Sequence, residues 1–208
     1  MKAVEKKRNE GVLTLTRSAA RVLLRPFFRL ETEGASRLPK KGAFILLPKH
    51  QRWEDIPLLS LATPRPLYYV AKHELFANPV SNWFLRSLGG LPLNREHPLE
   101  SRTTLRAVIA HLKEGEAVVV FPEGTYYRNR MGKGNVGVVR LILSKVSAAF
   151  FPVGVQYTEG ALRTTVHVRF GEPLHMNKSE NPTEFLDRTL RTIGELSGLR
   201  GPSAGMTG

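Results

Sequence analysis

Residues 117–125 have the sequence AVVVFPEGT, in which an apolar run stops abruptly at Pro122, Glu123 and Gly124. Short apolar runs bounded by proline and glycine are typical of buried β-strands. We therefore predict a strand over residues 117–121. Because ligands of α/β sheets bind beyond the carboxyl ends of the strands, we expect a ligand site where this strand ends.

Short apolar segments and helical periods alternate along the rest of the chain. Four more segments have the β-type pattern, and we predict strands over residues 43–47, 67–70, 149–156 and 164–170. Apolar residues at helical spacing predict helices that begin near Ser101, near Val136 and at Asn181-Pro182, the last one ending before Gly198. This alternation predicts an α/β fold, a single domain with a mixed β-sheet flanked by helices.

The composition is that of an ordinary globular domain with a strong positive charge. The chain has 208 residues, of which 41% are hydrophobic and 24% charged, as expected for one folded domain. Lys and Arg number 31 against 18 Asp and Glu, a formal net charge of +13. We therefore expect acidic partners, such as anionic membranes, phosphorylated ligands or nucleic acid. The absence of cysteine excludes disulfides, cysteine-ligated metal sites and thiol nucleophiles.

The N-terminal residues form a basic arm. Arginines recur every four residues, at positions 17, 21, 25 and 29, and form one stripe along a helix predicted between Gly11 and Leu30, which Pro26 ends or kinks. Apolar residues lie mostly on the other side: Val12, Leu15, Ala19, Val22, Leu23 and Phe27. Such a helix either lies in the headgroup plane of an anionic membrane or packs its apolar side on the domain. No run of about 18 uncharged apolar residues occurs, so no membrane-spanning helix is expected.

A histidine precedes an aspartate by five residues in the segment PKHQRWEDIP, residues 48–57. Inside one continuous helix, His50 and Asp55 would be about 140° apart and could not touch. If His50 lies in a loop and Asp55 in the first turn of a helix beginning near Ile56-Pro57, the carboxylate can turn back onto the imidazole. The other ring nitrogen is then left as a general base. The alternative is that Asp55 only caps the helix.

A basic turn follows the Pro-Glu-Gly corner. Arg128, Arg130 and Lys133 surround two glycines, just before the helix predicted from Val136. Clustered cations and the N-terminus of a helix both favour an anion, so phosphate binding is one interpretation. A solvated basic turn is the other. The spacing of a Walker A phosphate loop is absent.

Four motifs together resemble one enzyme family. They are His50-x-x-x-x-Asp55, the segment from Lys72 to Arg95, the block from Phe121 to Thr125, and Phe151-Pro152-Val153. Their order and spacing resemble the glycerolipid acyltransferases typified by 1-acylglycerol-3-phosphate (lysophosphatidic acid) acyltransferase, over residues 30–174. The resemblance implies acyl transfer from acyl-CoA or acyl-carrier protein to the free hydroxyl of 1-acylglycerol-3-phosphate, which gives phosphatidate in phospholipid biosynthesis.

The resemblance and the residue patterns together give each candidate residue an expected role. His50 is expected to be the general base that deprotonates the glycerol hydroxyl, with Asp55 as its orienting partner and no acyl-enzyme. Acceptor and phosphate binding is expected of Arg95, Glu123, Gly124, Thr125, Arg128 and Lys133. Lining of the site or of an acyl-chain groove is expected of Trp83, Phe84 and Pro152, with core packing as the alternative for the two aromatic residues. No metal is expected, and no cofactor besides the acyl donor as co-substrate.

Several positions depart from the family pattern. Lys49 stands where Asn is common, and Arg52 stands where Ser is frequent. Tyr126 and Tyr127 replace the usual Arg-Ser, whereas Arg128 keeps the final arginine. The lost and gained cations leave two alternatives, a relocated phosphate contact or a different lysolipid headgroup.

These features together give an expected organisation. We expect a membrane-associating arm over residues 1–30, an acyltransferase domain over 31–198 and a flexible tail over 199–208. The expected partners are an anionic phospholipid membrane, the lysophospholipid acceptor and the acyl donor, without nucleic acid. The expected location is cytoplasmic, peripheral on the inner face of the cell membrane.

A function of another class would explain the charge alone. A non-enzymatic basic module that binds nucleic acid or membranes needs only an excess of Lys and Arg. It leaves the spacing of His50, Asp55 and Glu123 unexplained. Enzyme and binding module are therefore distinguished by whether folding brings these three residues together.

Overall fold

The computed structural model describes residues 7–94, 98–143, 145 and 148–199, without the side chains at 98–101, 138 and 141. This part of the chain contains seven strands and six α-helices. The strands are β1 Phe28–Glu33, β2 Phe44–Pro48, β3 Leu67–Lys72, β4 Gly90–Leu93, β5 Ala117–Val119, β6 Ala149–Thr158 and β7 Thr164–Phe170. The helices are α1 Glu10–Leu24, α2 Asp55–Ala62, α3 Pro79–Ser87, α4 Pro98–Lys113, α5 Val136–Leu143 and α6 Pro182–Leu196.

The strands form one sheet in the order β1-β7-β6-β2-β5-β3-β4. All neighbouring strands are parallel except β6 and β7, which pair antiparallel. Side chains of α4, α5 and α6 cover one face of the sheet, and side chains of α2 and the end of α1 cover the other. The predicted fold class, α/β with a mixed sheet flanked by helices, is confirmed.

Burial of both sheet faces explains why the central strands are apolar at every position. In β2, Ile45 and Leu47 belong to the core shared with α4, α5 and α6, and Phe44 and Leu46 belong to the core shared with α2. All four side chains are fully buried. Continuous apolar runs are the signature of strands that are covered on both faces.

The carboxyl ends of three adjacent strands create the edge on which the candidate site lies. β2 is parallel to β5 on one side, with Leu46 opposite Val119, and to β6 on the other side. The segments that follow β2 and β5 therefore leave the sheet at the same edge. His50 follows β2 and Glu123 follows β5, so the topology brings these two parts of the chain together.

Most predicted elements are found, with differences at their ends. The strand over 164–170 and the helices beginning at Val136 and Pro182 lie where they were predicted. The strand predicted over 117–121 ends at Val119 instead, because the chain turns toward Pro122, which has no N–H with which to extend the ladder. Two short elements, α3 with nine residues and β4 with four, were not predicted.

The helix predicted between Gly11 and Leu30 is wrong at its C-terminal end. α1 ends at Leu24, and Phe28–Glu33 form β1, which pairs with β7. Pro26 cannot donate a helical hydrogen bond, so the chain leaves the helix there. The domain boundary predicted at residue 30 therefore falls inside a strand of the sheet.

No helix in the described part of the chain is both long and apolar enough to cross a bilayer. Residues 200–208 of the predicted tail lie outside the described residues.

Candidate active site

His50 and Asp55 meet in the loop that joins β2 to α2. The His50 Nδ1 atom lies 3.0 Å from Asp55 Oδ2. α2 begins at Asp55, and its N-cap residue is Glu54, which makes no side-chain capping bond. Both members of the pair are buried, His50 at 7% exposure and Asp55 at 1%. A hydrogen bond at Nδ1 leaves Nε2 as the ring nitrogen that can take a proton from a substrate.

Three further donors fix the Asp55 carboxylate. Its Oδ2 atom accepts the backbone N–H groups of Gln51 at 2.6 Å and Arg52 at 2.8 Å. Its Oδ1 atom accepts the Tyr157 hydroxyl at 2.6 Å. Burial, with the nearby Asp55 charge, raises the pKa of Tyr157 well above its ordinary value, so this hydroxyl stays protonated and donates. The orientation of the carboxylate, and of the imidazole that contacts it, is therefore fixed.

Lys49 and Glu123 form a fully buried ion pair beside His50. Lys49 Nζ lies 2.6 Å from Glu123 Oε2 and 2.9 Å from Oε1, and neither side chain is exposed. The same carboxylate accepts the backbone N–H groups of His50 at 3.3 Å and Gly132 at 2.6 Å. Burial lowers the pKa of Lys49, and the Glu123 charge opposes this shift. The pair ties the loop after β2 to the segment after β5.

Two aromatic rings hold the His50 ring. The ring centroid lies 3.8 Å from that of Phe121, in a stacked arrangement, and 4.3 Å from that of Tyr126. The backbone of the two loops is joined as well, because the Tyr127 N–H donates to the His50 carbonyl at 3.0 Å. These contacts leave 9% of the His50 side chain exposed.

Exposed cations surround the corner that follows β5. Arg128, Arg130 and Lys133 are exposed, as is Thr125, and Gly124 is partly exposed. Unlike them, Glu123 of the same corner faces inward, so its expected contact with the acceptor stays a prediction. A cation-rich rim beside a buried base favours an anionic substrate.

Gly132 is a glycine for a steric reason. A Cβ atom at this position would lie 2.2 Å from the ring of Tyr127. The Gly132 N–H also donates to Glu123 Oε1 at 2.6 Å. Any side chain here would displace the Tyr127 ring or the loop, and with it the donor to the buried carboxylate.

The remaining predicted site residues lie on other elements or outside the described residues. Arg95, the expected phosphate arginine, lies outside the described residues. Pro152 is buried in β6, opposite Leu47 of β2. Trp83 and Phe84 are 55% and 38% exposed on α3, which packs against the outer strand β4. Their expected role in lining an acyl-chain groove stays a prediction.

Tyr157 is the site residue that the sequence interpretation missed. It lies near the end of β6, one residue beyond the predicted strand, and reaches an aspartate 102 residues away in sequence. The available signal was a polar aromatic residue at the end of a buried strand, at the sheet edge where ligands bind. That signal alone does not identify its partner.

Several histidines of the described residues have an acidic side chain beside them. Within the residues that the structure describes, no group of three His, Cys, Asp or Glu side chains is placed to hold a metal ion. His50 has Asp55 beside it, and His73 has Glu74.

The fold and the site together define a class of protein. A buried histidine held by a carboxylate, at the strand ends of an α/β sheet and beside exposed cations, can deprotonate a hydroxyl group of an anionic substrate. Residues 29–156, more than half of the chain, match the family model described as Acyltransferase. The chain therefore belongs to the acyltransferase family, which confirms the resemblance seen in the sequence.

Curated relatives are similar over the same region. The 1-acyl-sn-glycerol-3-phosphate acyltransferase of Bacillus subtilis is 30% identical over 141 residues, 66% of this chain and 70% of that protein. The protein of the same name from Streptococcus pneumoniae is 27% identical over 137 residues, 64% of this chain and 51% of that protein. The chain thus spans about half the length of several curated relatives that it matches.

A solved structure supports the fold. The crystal structure of the 1-acyl-sn-glycerophosphate (LPA) acyltransferase PlsC from Thermotoga maritima superposes with a TM-score of 0.68. The match covers 94% of this chain and 81% of that chain, at 22% sequence identity. At this identity, the similarity establishes a common architecture.

Proposed function

We propose that this chain transfers an acyl group from acyl-CoA or acyl-carrier protein to the free hydroxyl of 1-acylglycerol-3-phosphate, which gives phosphatidate for phospholipid biosynthesis. The observation that carries the proposal is the 3.0 Å contact between His50 Nδ1 and Asp55 Oδ2, because it leaves Nε2 as a base. The names of the Bacillus subtilis and Streptococcus pneumoniae relatives support this acceptor.

In the proposed reaction, His50 acts as a general base and then as a general acid. Nε2 removes the proton of the acceptor hydroxyl as its oxygen attacks the thioester carbonyl and the new C–O bond forms. The C–S bond then breaks, and the imidazolium returns the proton to the departing thiolate. Asp55, held by Tyr157 and two backbone N–H groups, stabilises the imidazolium. No covalent acyl-enzyme forms.

We also propose that α1 attaches the protein to the inner face of the cell membrane, as a peripheral protein on the cytoplasmic side. Val22 and Leu23 are 70% and 67% exposed, and Phe27, just beyond the helix, is 65% exposed. Arg21 and Arg25 are exposed beside them. Apolar side chains that face solvent next to arginines match the headgroup region of an anionic bilayer.

An acyl-transfer assay tests the proposed reaction. Purified protein is incubated with lysophosphatidic acid and labelled oleoyl-CoA or oleoyl acyl-carrier protein, and labelled phosphatidate is measured. His50→Ala is expected to lower the rate by about 10²- to 10⁴-fold, because the base is lost. His175→Ala is the matched control, since His175 is exposed and lies outside the site, and it is expected to keep the parent rate.

A panel of acceptors tests the alternative headgroup. A Pseudomonas aeruginosa relative named Lyso-ornithine lipid O-acyltransferase is 29% identical over 52% of this chain and 41% of that protein, so lyso-ornithine lipid joins the panel. Product from this lipid and none from lysophosphatidic acid would replace the proposed acceptor. No product from any acceptor, with nucleic acid binding unchanged in His50→Ala, would favour the binding module.

Vesicle binding tests the role of α1. Co-sedimentation with vesicles that contain phosphatidylglycerol is expected to fall in the double variant Leu23→Gln/Phe27→Gln, because its apolar contact area is lost. Leu162→Gln is the matched control, since Leu162 is 94% exposed in the connection between β6 and β7. Equal sedimentation of the double variant and the parent would refute this attachment.

A further inference from the structure

The loop that carries His50 contains two cations, and the structure gives them different access to a ligand. Lys49 is fully buried, and its Nζ contacts both Glu123 oxygens. Arg52 is only partly buried. A phosphate cannot reach Lys49 without opening the buried pair, so Arg52 is the one of these two that can meet a substrate.

Arg52 is held in a fixed position relative to the His50–Asp55 pair. Its backbone N–H donates to Asp55 Oδ2 at 2.8 Å. Its guanidinium carbon lies 4.4 Å from the centre of the Tyr157 ring. Tyr157 itself donates to Asp55 Oδ1 at 2.6 Å, so main chain and side chain of Arg52 are both linked to the same carboxylate.

The Arg52 charge is available to a ligand. In the part of the chain that the structure describes, none of the ion pairs includes Arg52. Asp55, the carboxylate to which it is linked, is instead occupied by N–H and O–H donors. A guanidinium that lies over an aromatic ring keeps N–H donors for other partners, and two of these donors can bind one phosphate through parallel hydrogen bonds.

We propose that Arg52, supported by the Tyr157 ring, binds the phosphate of the lysolipid acceptor and so selects phosphate-bearing acceptors. The inference rests on the proposed acyl transfer and names a contact for its substrate. The departures from the family pattern left a relocated phosphate contact open, and the inference assigns this contact to Arg52. Coenzyme A is a second source of phosphate at this site, and the experiment separates the two sources.

Equilibrium binding tests the contact without turnover. Isothermal titration is carried out with hexanoyl lysophosphatidic acid, with monohexanoylglycerol and with coenzyme A, on the parent protein and on Arg52→Gln, Arg52→Lys and Arg191→Gln. Arg52→Gln is expected to weaken lysophosphatidic acid binding by about 10- to 100-fold, the effect of losing charge-assisted hydrogen bonds. Arg52→Lys should lose less affinity, because it keeps the positive charge but not the paired N–H donors of the guanidinium. Arg191→Gln, an exposed position on α6, removes the same charge and should bind like the parent.

Kinetics distinguish binding from a merely structural role. Arg52→Gln is expected to raise KM for lysophosphatidic acid by the same factor, to lower kcat by less than about threefold, and to leave KM for the acyl donor unchanged. A structural disturbance of the Asp55 loop would lower kcat instead, because the base would lose its orientation.

Three results would overturn the inference. In the first, Arg52→Gln binds lysophosphatidic acid as tightly as the parent does. In the second, Arg52→Gln weakens the binding of coenzyme A and of neither other ligand. In the third, it weakens the binding of monohexanoylglycerol, which has no phosphate, as much as that of lysophosphatidic acid. Each can occur in a protein that still transfers acyl groups, so the proposed function survives such a failure. Absence of acyl transfer by the parent protein refutes the proposed function separately.

Discussion

The ion pair of Lys49 and Glu123 allows a quantitative test of how the His50 loop is held. Lys49→Met removes the cation and keeps most of the apolar stem. Glu123 is then left with two backbone donors, His50 N–H at 3.3 Å and Gly132 N–H at 2.6 Å. Because both side chains of the pair are fully buried, water cannot replace the ammonium group without opening the loop.

The expected loss follows from the contacts that remain. Removal of one partner of a buried ion pair lowers the free energy of unfolding by about 3–5 kcal/mol, because the other charge stays buried and unpaired. Since Glu123 keeps two donors, we expect the lower end, about 3 kcal/mol. For a chain of this size that corresponds to a Tm lower by about 6–12 °C. In Lys49→Met/Glu123→Gln neither member of the pair is charged, and about half of the lost free energy of unfolding should be recovered.

The assay measures thermal and urea unfolding of the parent, Lys49→Met, Glu123→Gln and the double variant. Lys178→Met is the control, because it makes the same change at an exposed position and should alter the free energy of unfolding by less than about 0.5 kcal/mol. A Lys49→Met protein with the Tm of the parent would refute the reasoning. So would a double variant that is less stable than Lys49→Met.

Three other changes test separate parts of the structure. Tyr157→Phe removes a donor to Asp55 and should lower kcat by about five- to tenfold with KM unchanged in steady-state assays. His111 is buried against the Tyr68 ring, and burial lowers its pKa, so its contribution to stability is complete above about pH 6.5 and is lost as the pH falls. In thermal unfolding at several pH values, the Tm of His111→Phe should therefore fall less than the Tm of the parent as the pH is lowered below that value. Asn181→Ala removes the N-cap of α6 and should cost about 1 kcal/mol in urea unfolding; an unchanged value would contradict the capping assignment.

The sequence was informative where a local pattern decides the structure. β2 is buried at every position and has a continuous apolar run, β7 alternates buried apolar with partly buried polar residues, and α6 begins at an Asn-Pro signal. Residues 28–30, the first half of β1, are predicted as helix because the arginine spacing continues through Arg29. The strand pairs with β7, Phe28 opposite Thr164. Its sequence, FRLETE, alternates uncharged and charged residues, which is the period-two pattern of a strand.

The candidate site divides in the same way. His50 and Asp55 are five residues apart, so their contact could be predicted from chain geometry. Lys49 and Glu123 are 74 residues apart, and Asp55 and Tyr157 are 102 residues apart. These contacts depend on which strands become neighbours, and a single sequence does not state the strand order. The resemblance implies acceptor binding for Glu123, whereas in the structure its carboxylate contacts the buried Lys49.

The tautomer of His50 tests the central claim most directly. Nitrogen-15 NMR of the ring, in protein labelled at histidine and kept at alkaline pH, reports which nitrogen carries the proton. With Nδ1 directed at Asp55 Oδ2, we predict a protonated Nδ1 and an unprotonated Nε2, and a change of this state in Asp55→Asn. A proton on Nε2 in the parent protein, or a His50 spectrum that Asp55→Asn leaves unchanged, would contradict the assignment of His50 as a base oriented by Asp55.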